Sequence, residues 1–314
     1  MIDTNYIVYV LLNTALFILI SPLYMGIVKI IKARAQGRIG PPLFQQYYNL
    51  LKLAQKERVY SKRSSAITRM TPYVNITLIL TASLCVPLVF TPFNSGGIGN
   101  IILFLYILAL ARFFMAIAGL DAGSTFGGMG SSREMSVSSV IEPITIIVFA
   151  ALAYALGTTD LHQMFQKTAQ EMTILNPALI LISIPLFIVL IVETARVPVD
   201  NPETHLELTM IHETMLLEYV GRDLALMELS HSIKQTMLMA IIINILIPWG
   251  FATEYTALAL AVGLLLFIIK GALLATFIGV FESSMAKTRL FGLPNLFVVA
   301  FFLSMLTIWL EVFR

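Results

Sequence analysis

The stretch TALALAVGLLLFIIKGALLATFIGVF, residues 256–281, holds one ionisable side chain, Lys270, among apolar and small residues. A helix rises about 1.5 Å per residue and a bilayer's hydrocarbon layer is about 30 Å thick, so about 20 such residues cross it. Working outward from this block, seven more of similar character are found: Ile7–Ile30, Tyr73–Pro92, Ile98–Leu120, Val137–Leu156, Pro177–Val192, Gln235–Trp249 and Pro294–Phe313. Gln235–Trp249 is the shortest. The whole chain of 314 residues is 58% apolar and 12% charged, against about 45–50% and about 25% in soluble domains. That balance excludes a soluble enzyme and a disordered chain. A net charge of +2 gives no electrostatic basis for nucleic-acid binding. Cys85 is the only cysteine, too few for an iron–sulfur cluster, a Cys-rich zinc site or an intrachain disulfide. The expected fold is therefore all-α: one polytopic membrane domain, residues 1–314, of about eight transmembrane helices, each satisfying its own backbone in lipid. The first block starts with Asp3, is long and lacks a small-residue cleavage site, so it is read as a span and not a signal peptide.

Charge sets the expected orientation. Sixteen Lys and Arg residues fall in the connections on one side, ten of them between Lys29 and Arg69, whereas Lys167 and Arg314 stand alone on the other. The basic side is expected to be cytoplasmic, with both termini outside. Its loops span about 33–71, 121–136, 194–234 and 282–292. Within the first, Leu43, Tyr47, Leu50, Leu51 and Ala54 recur at helical spacing, which predicts an amphipathic interfacial helix over Leu43–Lys56. The outward connectors Thr91–Asn100 and Thr158–Asn176 carry no such pattern. No internal repeat marks an inverted-repeat transporter.

Ionisable groups at membrane depth are costly and gather at ion pathways. Glu142 lies near the start of the fourth span and Glu193 ends the fifth. Arg112 and Lys270 lie inside the third and seventh, Glu228 and His231 precede the sixth, and Glu282 ends the seventh. For the terminal charges the alternative is snorkelling to the headgroups. The loop from Glu193 to Glu207 adds Arg196, Asp200, Glu203 and His205, followed by Glu213, Glu218 and Asp223. Glu203 and Glu207 would share a helix face, and neighbouring carboxylates raise one another's proton affinity. The pattern suits a proton relay; the alternative is a solvated acidic face. His205, Glu207 and His212 form no H-E-x-x-H or comparable motif, and no metal site is expected.

These residues also carry a resemblance. Glu193-x-x-Arg196-x-Pro198-x-Asp200-x-Pro202-Glu203-x-x-x-Glu207-Leu208 resembles the signature loop of the ND-one family, the membrane subunits that anchor the peripheral arm of respiratory complex I. Arg38-Ile-Gly40-Pro41-Pro42, with Gln45, Lys52-Leu53 and Lys56-Glu57, is similar to that family's first loop. Arg133 and Glu142 keep its spacing of nine, and Glu218-Tyr219, Glu228, Lys287 and Arg289 fall on its positions. Four positions depart from complex I: Pro42 for Asn, Asn49 for Asp, His205 for Glu, and Glu282 for Arg. The segments Ala111–Ser124, Gly130–Glu134 and Phe281–Leu290 instead resemble the formate hydrogenlyase subunit 4 type of the energy-converting [NiFe] hydrogenase branch.

The resemblance implies a non-catalytic membrane subunit that binds no cofactor itself. Its basic-side loops would form a platform for a hydrogenase-like large subunit and a small iron–sulfur subunit. The [NiFe] centre and [4Fe-4S] clusters would sit on those partners, with antiporter-like membrane subunits alongside in the bilayer. Glu193, Asp200, Glu203, Glu207, Glu213 and Glu218 would form a carboxylate cluster under the docked arm. Glu142, Glu228 and Lys270 would pass the signal sideways, and Arg133 and Arg196 would hold carboxylates ionised. Arg38, Gly40, Pro41, Gln45 and Lys52 would dock the arm. The rival readings are a sulfane-sulfur-reducing complex or a quinone-reducing complex I on the same platform, and a stand-alone symporter, which would place its polar site at the midplane.

Overall fold

The computed structural model describes residues 4–61, 63–91, 97–171, 176–200, 210–251, 257–289 and 292–313. Among the described residues, eleven helices follow in chain order: α1 (Thr4–Ala35), α2 (Gln45–Gln55), α3 (Ala66–Leu84), α4 (Ile101–Asp121), α5 (Thr125–Leu156), α6 (Leu161–Glu171), α7 (Pro177–Glu193), α8 (His212–Leu216), α9 (Arg222–Leu246), α10 (Ala257–Ser284) and α11 (Leu293–Val312). No β-strand forms among the described residues; one isolated bridge pairs Asn100 with Asp160.

Each of the eight apolar blocks lies in or overlaps a helix, but the count of eight spans is not confirmed. Among the described residues six helices are long and apolar enough to cross a membrane: α1, α4, α5, α9, α10 and α11. The apolar α7 has 17 residues. Polar residues Thr68, Arg69, Thr71 and Asn75 dilute α3. Two helices start well before their apolar blocks. α5 begins at Thr125, where Ser124 Oγ accepts from Gly127 N at 3.0 Å and caps the end. α9 begins at Arg222. Most of the expected loop 121–136 is thus helix, and so is the last third of loop 194–234. The connector Thr158–Asn176 contains α6, which buries Leu161, Met164 and Phe165 in the core.

α9 is the centre of the bundle, buried along most of its length, with α1, α3 and α7 against it and α10 outside α1. Between membrane helices, lipid is as apolar as the side chains, so close packing and hydrogen bonds hold the bundle. Gly271 illustrates this: a Cβ there would collide with the Tyr24 ring, whose hydroxyl donates to Phe267 O at 3.1 Å and ties α1 to α10. Exposed side chains on the long helices, such as Leu11, Tyr106, Leu265 and Phe302, are large and apolar, as a lipid-facing surface requires.

The basic connections meet at one end. There Asp121, closing α4, accepts from Ser65 N, Thr68 N and Thr68 Oγ1 at 3.0, 3.1 and 2.6 Å, satisfying the first turn of α3. Asp223, opening α9, accepts from Tyr60 Oη at 2.6 Å and pairs with Arg58 at 3.3 Å, which fastens the stretch after α2. α2 forms inside the predicted interval and lies against α1, where Tyr47 Oη donates to Leu19 O.

Candidate functional site

Four charged assemblies occupy the basic half of the bundle. The first is centred on Arg112, the one basic residue of the 21-residue α4. Its side chain is 8% exposed and its guanidinium meets three carboxylates: Nη1 lies 3.0 Å from Glu142, Nη2 bonds Glu193, and Nε lies 3.6 Å from Glu134. Glu134 and Glu142 are eight apart on α5, a little over two turns, so one helix face presents both. Glu193 sits at the end of α7, and its second oxygen pairs with Lys234 of α9 at 2.7 Å. Three carboxylates therefore share two cations. An Arg fork suits this task because its nitrogens point to separate acceptors. Glu142 differs from the others: its side chain is 44% exposed, although its helix is long and apolar enough to cross a membrane.

The second assembly joins α1, α9 and α10. Glu282 pairs with Arg196 at 2.7 Å and with Lys32 at 3.5 Å. Arg196 also bonds Gln235 Oε1 and Met25 Sδ, while its buried Nε has no hydrogen-bond partner. Glu282 is buried rather than snorkelling, and it pairs inside the protein.

The third assembly anchors the segment after α7. Asp200 is fully buried; it pairs with Lys287 at 2.8 Å and accepts from Ile211 N and His212 N at 2.8 and 3.1 Å. Pro198 O accepts both the amide and the hydroxyl of Thr288, each at 2.9 Å.

The fourth is a cavity of about 530 Å³ between α1, α2, α8 and α9, lined among others by Lys29, Lys32, Arg196, Glu213, Glu228 and Glu282. Arg38, Pro41, Gln46 and Asn49 belong to the same lining. Burial, then repulsion from Glu228 and Asp200, pushes the Glu213 carboxyl up to about 7, with Lys29 opposing. A carboxyl in that range can both bind and release a proton near neutral pH.

The sequence-derived set divides as follows. Glu142 and Glu193 join one network, and Glu213 and Glu228 face one cavity. Asp200 stands outside both, paired with Lys287. Glu218 lies in the turn after α8, partly buried. Glu203 and Glu207, with His205, lie outside the described residues. Arg196 pairs with Glu282, as a carboxylate partner should, but Arg133 donates to Met210 O at 2.9 Å and so holds a backbone carbonyl. Lys270 stands apart from the acidic groups. Its ammonium caps the far end of α9, reaching Ile247 O at 2.8 Å and Trp249 O at 2.5 Å, where carbonyls lack helical partners. In the docking loop, Gly40 has φ +74°, a left-handed conformation that glycine adopts without strain. Arg38 and Lys52 are exposed; Gln45 Nε2 donates to Asn49 Oδ1 at 3.0 Å. Sequence reasoning left Glu134, Lys234, Lys32 and the central role of Arg112 out of the site. The signal for Arg112 was present: a lone cation in an apolar helix implies buried acids nearby. Among the described residues no group of three or more side chains could hold a metal.

The profile of the NADH dehydrogenase family matches residues 7–312. Formate hydrogenlyase subunit 4 of Escherichia coli (strain K12) is 30% identical over 290 residues, 92% of this chain and 94% of that protein. Hydrogenase-4 component C of the same organism is 30% identical over 292 residues, 91% and 90% of the two chains. The H subunit of NADH-quinone oxidoreductase from Wolbachia pipientis wMel is further away, 28% identical over 247 residues, 74% of this chain and 72% of that one. A chain in the structure of the membrane-bound sulfane sulfur reductase, an archaeal respiratory membrane complex, superposes with a TM-score of 0.78 at 20% identity, covering 98% of this chain and 99% of that one, which establishes the shared fold. A helical membrane bundle with buried charge networks, matched over nearly its whole length, belongs to the NADH dehydrogenase family, on the side shared by the ND-one subunits of complex I and the membrane subunits of hydrogenases.

Proposed function

We propose that this chain is the membrane anchor of an energy-converting [NiFe] hydrogenase or formate hydrogenlyase-type complex, and that it couples a partner's electron transfer to proton or sodium movement. Its basic end lies in the cytoplasm as the platform for a hydrogenase-like large subunit and a small iron–sulfur subunit, with both termini outside and antiporter-like subunits beside it in the cell membrane. The observation that carries this reading is the Arg112 network, which runs from beside the platform cavity to the half-exposed Glu142 carboxylate on a membrane-length helix. The [NiFe] and [4Fe-4S] groups do not fit this chain: Cys85, its one thiol, is buried past the end of α3. On the partners they would supply the reduction of protons.

The chain's own part is to change proton affinities. An Arg within about 4–6 Å lowers a carboxylate's pKa by about 1–3 units. A shift of the Arg112 fork therefore changes the charge that the three carboxylates around it face. The cavity lining, with Lys29, Lys32, Arg196 and three carboxylates, suits water and protons better than a quinone's apolar tail. A sulfur-reducing assembly shares the fold. Purification of the native complex tests the assignment: nickel, iron–sulfur subunits and hydrogen evolution are expected. Iron without nickel, with sulfur reduction, would move the assignment to the sulfur branch, and a lone metal-free chain would end it.

A further inference from the structure

Two histidines stand where the platform cavity meets the Arg112 network. His212 opens α8 and His231 lies on α9, their ring centroids 5.2 Å apart and tilted by 45°. Both line the cavity of about 530 Å³. Both also line a second cavity of about 30 Å³, together with Arg112, Glu134 and Lys234. Among the described residues they are the only ionisable ones common to the two linings. Glu213 and Glu228 line the larger space and Glu134 the smaller, and no described carboxylate lines both. The smaller space has room for about two waters. Protons moving through these two spaces therefore meet an imidazole at the wall.

We propose that His212 and His231 are the proton passage between the platform cavity and the Arg112 network. The idea deepens the coupling function proposed above and rests on it. An imidazole can accept a proton at one nitrogen and release another from the second. The Glu213 O–H bond breaks as an imidazole N–H forms on the cavity side. The N–H on the far side then breaks, and its proton passes through water to the Glu134 carboxylate. The ring ends neutral in its other tautomer and resets by rotation; no electron is transferred. Cations and acids flank the pair on both sides: Lys29, Arg196, Glu213 and Glu228 line the cavity, with Asp200 on the His212 amide, and Arg112, Lys234 and Glu134 line the smaller space. Burial, above the nearby charges, pushes the His212 imidazole below its ordinary value, so it rests neutral with one ring nitrogen free of a proton.

The test uses the native complex in proteoliposomes, comparing wild type, His212→Gln, His231→Gln, the double variant, His231→Ala and Glu142→Gln. Ion movement per electron pair is measured, with turnover under an ionophore as the control for assembly. The double variant is expected to lower coupled ion movement about a hundredfold, within the range of general acid–base catalysis, while uncoupled turnover persists. Added imidazole, entering through the larger cavity, should restore part of the movement in His231→Ala, which a packing role would not allow. Full ion movement in the double variant, or loss that imidazole leaves unchanged, overturns the passage. If the double variant does not assemble, the single Gln variants and the rescue decide. Loss in Glu142→Gln with none in the histidine variants refutes the passage alone; retention in all of them refutes the coupling function itself.

Discussion

Replacing Arg112 by Met tests the network's electrostatics. In the wild type Glu134, Glu142 and Glu193 face Arg112 and Lys234, a net charge of −1. The variant leaves three carboxylates with one cation, a net of −2, and strips Glu142 of its ion pair. Removing one partner of a buried pair costs about 3–5 kcal/mol. Glu193 keeps Lys234 at 2.7 Å and Glu142 is 44% exposed, so the loss belongs at the low end of that range. The double variant Arg112→Met, Glu142→Gln returns the net charge to −1. It should recover about 0.5–3 kcal/mol, the usual size of coupling between contacting residues. Thermal unfolding of the purified complex reads these differences, and proteoliposomes read ion movement. The double variant should regain stability without regaining coupling. If it is no more stable than the single variant, charge imbalance is not what Arg112 relieves. If Arg112→Met is as stable as wild type and moves ions as well, the network is neither structural nor coupling.

Other variants separate roles that the sequence left merged. Lys270→Met should cost about 1–3 kcal/mol by stripping Ile247 O and Trp249 O of their donor, and should leave ion movement intact, as thermal unfolding and flux assays would show. The Glu213 carboxyl, held near 7 against an ordinary value of about 4.3, binds its proton more tightly folded than unfolded. Its contribution to stability is present at low pH and falls as pH rises from about 4.3 to about 7; Glu213→Gln should flatten the unfolding profile across that window. Deleting residues 45–57 removes α2 and the exposed Tyr48 and Leu51, and should release the peripheral arm in gel filtration.

The fold was largely legible because membrane helices announce themselves by apolar length alone. What length could not show was how far helices run beyond lipid. Thr125–Ser136 and Arg222–Lys234 are polar, so they read as loop, yet the Ser124 cap on α5 and the packing of α9 against α2 and α3 make them helix. α6 was missed for a similar reason: its 11 residues are amphipathic and too short to span. The acidic residues of the site were visible as costly groups in the wrong solvent. Their partners were not, because ion pairs such as Arg196 with Glu282 join positions 86 apart in sequence. Lys270 was visible as an intramembrane charge, but its bonds to Ile247 O and Trp249 O were not, because they reach across 23 and 21 positions.

The most direct test of coupling through this chain is the number of ions moved per electron pair in proteoliposomes carrying Glu142→Gln. Electron transfer that continues under an ionophore while ion movement collapses is the predicted result. An unchanged ratio of ions to electrons would contradict it.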